Sequence, residues 1–147
     1  MRHCLYLILI MILAQACFSV TTTESSSGAT STDLTSMEWR LVSVNVDDKP
    51  MTTESLKTPA TLKINPDGQF SGQGGCNNFF GKATIKGSKI GFGNAGITKK
   101  MCFDNTVMAL ETAYMKALNE ADSYEIKLKN LILKKGNNTI ATFLSIQ

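Results

Sequence analysis

The sequence predicts an α+β domain with a mostly antiparallel β-sheet and one main α-helix. Three observations carry this. Short runs rich in β-branched and aromatic residues, separated by turn residues, fill residues 38–92 and return after residue 123. One segment, at about 104–119, repeats apolar residues at helical spacing. The chain has 147 residues, enough for one domain with appendages.

The chain opens with Met1-Arg-His and then an almost wholly apolar run from Cys4 to Ala14. Ala14-Gln-Ala16 follows with small residues at the positions a signal peptidase reads. This order predicts a secretory signal over residues 1–16. The run falls short of the ~20 residues that cross a bilayer as a helix. Leu13-Ala-Gln-Ala-Cys17 resembles a bacterial lipobox, which makes Cys17 a candidate for lipidation and an N-terminal membrane anchor. The alternative is an ordinary Ala-X-Ala cleavage site with Cys17 incidental. Residues 17–36 are Ser/Thr-rich, with Leu34 the one large apolar residue after position 20. Too little apolar surface is present there to offset ordering entropy, so a flexible tether is expected. The folded domain is expected to span residues 37–147.

Within the domain, Glu38 to Val46 reads as a strand, ended by Asp47-Asp-Lys-Pro50. Residues 51–59 read as an exposed loop. Thr61 to Ile64 and Gln69 to Ser71 flank Asn65-Pro-Asp-Gly68, a type I turn signal, and predict a hairpin. Phe80 to Ile85 and Lys89 to Phe92 flank Lys86-Gly-Ser88, a second hairpin. In the helix, Val107, Leu110, Tyr114, Met115 and Leu118 share one face. Asp104 or Asn105 is placed to cap its start. Tyr124 to Leu128, Asn130 to Leu133 and Thr139 to Leu144 form a closing meander.

The chemistry-bearing residues are few. The formal charge is +3 and Arg2 and Arg40 are the only arginines, so nucleic acid is not an expected partner. His3 is the only histidine and lies within the predicted signal. With two thiols left in the domain, the composition provides no metal site, and no cofactor is expected.

Phe70-Ser-Gly-Gln-Gly-Gly-Cys-Asn-Asn-Phe-Phe-Gly81 concentrates glycines, asparagines and aromatics around Cys76. In an exported protein, Cys76 and Cys102 are expected to pair as a disulfide. Buried free thiols or a redox couple are the alternatives, although no Cys-X-X-Cys spacing is present. The glycines lack the Gly-Lys-Ser/Thr of a phosphate loop and read as tight turns, a bulge or close backbone approach. Gly75, Asn77, Asn78 and Phe79 form a candidate ligand loop. Glu111 lies at the edge of the helical apolar stripe, where a boundary residue paired with a lysine is the usual role. Lys127, Lys129, Lys134 and Lys135 read as a solvated outer face. Asn137-Asn-Thr139 matches a glycosylation sequon.

Trp39-Arg-Leu-Val-Ser, Gly75-Cys-Asn-Asn-Phe-Phe-Gly81, Ile97-Thr-Lys-Lys-Met-Cys102 and the Glu111-bearing helix together resemble the META domain, the HslJ-like family of heat-inducible envelope lipoproteins. The resemblance covers residues 37–145. It implies a helix on a curved antiparallel sheet, an envelope location and links to stress or antibiotic tolerance. It brings no catalytic residues. The expectation is a non-enzymatic cell-envelope lipoprotein, of an outer membrane and facing the periplasm or exterior, that binds an envelope protein or small ligand at the membrane. The alternative is a secreted ligand-binding or inhibitor-like module using the Gly72–Gly81 loop.

Overall fold

The computed structural model describes residues 31–47, 49–54 and 56–146. The signal and Cys17 expectations therefore lie outside the described residues. The elements run α1 (Ser31–Ser36), β1 (Glu38–Val46), β2 (Lys49–Thr52), β3 (Thr61–Ile64), β4 (Gln69–Gln73), β5 (Asn78–Lys86), β6 (Lys89–Phe92), β7 (Gly96–Ile97), α2 (Asn105–Glu120), β8 (Ser123–Lys127), β9 (Asn130–Lys135) and β10 (Asn138–Ile146).

Eight strands close into a barrel in the order β1-β3-β4-β5-β6-β8-β9-β10, and β10 returns to β1. Every pairing is antiparallel. The expected mostly antiparallel, curved sheet packed with one main helix is thus corrected to a closed barrel: the sheet curves until its ends meet. Closure removes the free edges that an open sheet presents. The β6–β8 junction is the thinnest, with one paired position, Lys89 and Ser123. The β1–β10 seam is broader and joins the two ends of the described chain.

A bulge in β1 between Leu41 and Ser43 explains part of the bending. Before it, Trp39 and Leu41 point inward; after it, Val44 does, and Val42 is left outside. The extra residue switches the inward parity, as a two-residue side-chain period requires. A second register shift, between Thr139 and Ala141, bends β10 against β9.

The barrel is filled by side chains. Phe92, Phe70, Phe79, Tyr114 and Phe143 form a run of neighbouring rings, with centroids 5.1 to 6.2 Å apart. Tyr114 comes from α2, so the run ties helix to both walls. Its hydroxyl donates to the Thr61 carbonyl at 3.1 Å. Burial pushes that hydroxyl well above the usual tyrosine pKa. A Cβ at Gly72 would collide with the Phe79 ring and the Thr61 carbonyl, so that glycine makes room for the aromatic.

Two segments depart from the sequence reading. Residues 31–36, assigned to the tether, form a helix whose Leu34 is completely buried. The Trp39 indole N–H donates to the Leu34 carbonyl at 3.0 Å, which fixes α1 against the start of β1. Residues 49–52, read as turn and loop, form β2 and pair with the second half of β1. Asp47 sits at φ 48, the left-handed turn conformation that Asp tolerates.

The helix matches its periodic pattern closely. The Asp104 carboxylate caps it, accepting the Thr106 and Val107 N–H groups at 2.9 and 3.3 Å. Leu110, Tyr114, Ala117 and Leu118 are buried, and α2 packs on β1, β6, β9 and β10. Among the lysines, Lys127 and Lys134 pair with Glu125, and Lys135 pairs with Glu120.

Candidate functional site

The glycine-rich stretch and α2 meet through one carboxylate. Glu111 is 4% exposed. Its Oε2 accepts the backbone N–H of Asn77 at 2.6 Å and that of Cys76 at 3.2 Å. Its Oε1 accepts the Asn77 side-chain amide at 2.8 Å. These donors lie in the turn between β4 and β5, which has no ladder partner for them. The carboxylate satisfies them, and charge-assisted bonds of this kind are about twice as strong as neutral ones. The expected role of Glu111, a boundary residue paired with lysine, is corrected.

Two glycines permit this approach. A Cβ at Gly74 would stand 2.6 Å from Glu111 Oε2 and 2.8 Å from its Cγ. Gly75 has φ +110, a conformation open to glycine and strained for other residues.

Asn77 is the hub. Its Oδ1 accepts the Lys100 backbone N–H at 2.7 Å and the Thr98 hydroxyl at 2.9 Å. Its amide also donates to the Lys100 carbonyl at 3.3 Å. Cys76 and Cys102 form a disulfide with S–S 1.95 Å and Cα–Cα 6.1 Å. Turn, connector and helix are therefore held by one buried asparagine, one buried carboxylate and one cross-link.

The candidate loop residues do not converge on an open surface. Asn77 is internal, and Phe79 is 1% exposed and packs edge-to-face with Tyr114 in the barrel. Asn78 is exposed, with its N–H donating to the Thr98 hydroxyl and its carbonyl accepting the Thr98 N–H. Space beside Gly75 is taken by Val107 and Leu56. Among the described residues, no group of three His, Cys, Asp or Glu side chains is placed to hold a metal ion.

An open concavity lies on the other side of α2. It has a volume of about 610 Å³ and runs between the helix, the end of β1, β2 and the start of β10. Its apolar lining includes Met51, Met108, Ala109, Ala113, Ala117 and Ile140. Lys116 and Lys135 stand on its rim with Asp47 and Glu120. Sequence reasoning did not single it out. The available signal was Ala109, Ala113 and Ala117 at intervals of four, a strip of small side chains on one helix face.

The META domain family model matches residues 32–146. The chain belongs to the META domain family.

The match begins within α1, in keeping with the burial of Leu34 in the META domain. The same fold occurs in solved structures. A protein from Burkholderia xenovorans, solved by NMR, is 25% identical, with a TM-score of 0.65 over 78% of this chain and 84% of that one. A second NMR structure is 22% identical, with a TM-score of 0.61 over 79% and 94%. A DUF4847 family protein from Bacteroides vulgatus, solved by crystallography, is 16% identical, with a TM-score of 0.53 over 76% and 93%. No curated protein matches the chain.

Proposed function

We propose that this META domain is a non-enzymatic binding protein of the cell envelope, anchored through a lipidated Cys17, and that its ligand site is the concavity beside α2. The observation that carries the reading is the 610 Å³ hollow with an apolar lining, which lies within the usual size of small-molecule sites. Lys116 on its rim makes no ion pair among the described residues. The ligand class that fits is an amphipathic molecule with an apolar body and a small anionic head. A role in stress or antibiotic tolerance would follow from capture of such molecules at the envelope.

The Gly72–Gly81 loop is a weaker site, because Asn77 and Phe79 are committed to the interior. A catalytic role for Glu111 is disfavoured on geometry: both oxygens already accept internal donors, whereas a general base must reach a substrate proton.

The test is NMR of backbone amides and side-chain methyl groups on the chain titrated with dodecanoate. Shifts at Met51, Met108 and Ala113, abolished by Ala113→Trp in a variant that keeps its melting temperature, are the expected result. Shifts at Gly75, Asn78 and Phe79 instead would move the site to the loop and overturn the assignment.

A further inference from the structure

The connector between β7 and α2 exposes two large apolar side chains close together in sequence. Met101 is 90% exposed and Phe103 is 101% exposed. They flank Cys102, which the disulfide draws inward to Cys76. Cys102 is half-buried, whereas both of its neighbours face solvent. The backbone beneath them is fixed: Asn77 grips both the N–H and the carbonyl of Lys100. Met101 and Phe103 are thus exposed on a segment that the cross-link and the Lys100 bonds hold in place. Lys99 and Lys100 precede the apolar pair and are both exposed. The one acidic neighbour in sequence, Asp104, is engaged in capping α2.

We propose that residues 99–103 form a wedge that docks on an anionic lipid bilayer. Met101 and Phe103 would enter the headgroup–acyl boundary, and Lys99 and Lys100 would meet lipid phosphates. A methionine and a phenylalanine projecting without a recess around them suit a bilayer, which deforms to receive them. The lysines supply the charge complementarity that interfacial binding adds to apolar insertion. Each lysine near an anionic surface strengthens binding by about fivefold. The proposal draws on the envelope reading only for where the chain meets a membrane. The wedge itself is independent of Cys17 and of the α2 concavity.

The test places a tryptophan at the tip. The native Trp39 is fully buried and gives a constant background. A Phe103→Trp chain is mixed with vesicles of phosphatidylglycerol and phosphatidylcholine carrying brominated acyl chains, and bound chain is measured by sedimentation. Quenching of the added tryptophan, with bound fraction reduced at least tenfold by Lys99→Gln with Lys100→Gln, is the expected result. Equal quenching on phosphatidylcholine alone would overturn the anionic docking. A chain that sediments with vesicles through its N-terminus, yet shows no quenching, would overturn the wedge and leave the anchored envelope reading standing. A chain without lipid at Cys17 that is nevertheless quenched on anionic vesicles supports the wedge independently of the anchor.

Discussion

Glu111 Oε2 accepts the backbone N–H of Asn77 at 2.6 Å, across 34 residues of sequence. The bond joins the middle of α2 to the turn between β4 and β5. Because Oε2 also serves Cys76 and Oε1 serves the Asn77 amide, one side chain satisfies three donors.

Replacing that carboxylate should be costly. Glu111→Ala leaves buried donors unpaired and is expected to lower stability by about 3 kcal/mol. Glu111→Gln should cost less, since its amide oxygen can still accept both backbone N–H groups. Its amide nitrogen would face the Asn77 amide, donor against donor. Asn77 cannot flip to resolve this, because its Oδ1 accepts from Lys100 N–H. Urea melts of the two variants, with the order Ala worse than Gln, check the account.

The disulfide should behave as one unit. Cys76 and Cys102 are separated by 26 residues, a loop worth about 3.5 kcal/mol in the chain-entropy model. Cys76→Ser and Cys102→Ser are each expected to lower the melting temperature by a similar amount, and the double variant to add little. Calorimetry of the three variants measures this; additive losses would count against the account.

Leu34 should matter as a core residue matters. It is fully buried, and its carbonyl receives the Trp39 indole. Leu34→Ala is expected to cost about 2–4 kcal/mol. Leu34→Ala melting like the parent chain would show that α1 contributes nothing to the fold.

Acid should weaken the surface of the last hairpins. Glu125 is held below its usual pKa by its hydrogen bond from Lys134 and then that from Lys127. Asp122 is held low by Ser123 and then by the Gly136 N–H. Both are depressed in the folded state, so the unfolded chain binds protons first as pH falls. Their contribution is present above the ordinary carboxylate range and fades below about pH 4. Stability measured from pH 6 to pH 2 should fall, and Asp122→Asn with Glu125→Gln should flatten the slope.

Much of the local structure is written in short-range pattern. Helical spacing from Val107 to Leu118 placed α2, and Asp104 marked its start. Turn residues placed the 61–71 and 80–92 hairpins. The pairing of Cys76 with Cys102 was the leading expectation for two thiols in the domain, on the reading that the chain is exported, and the disulfide is present. Barrel closure was not legible, because alternation shows which face a strand buries and not which distant strand it joins. Val42 adds to the difficulty, since its bulge reverses the parity of β1 midway. The role of Glu111 was hidden for another reason: its partners are chiefly backbone N–H groups, which no residue type announces. Leu34 looked incidental among serines and threonines. Its function depends on Trp39, five residues on, turning back to reach its carbonyl.

The β1–β10 seam also sets the order in which the domain can be made. β1 is the first of the barrel strands to emerge in synthesis, yet one flank of it is completed only by β10. Helix and hairpins can form early from nearby residues, whereas the seam must wait. Long-range pairing of this kind places folding in the milliseconds-to-seconds range. The barrel therefore stays open in a newly made domain until β10 is available.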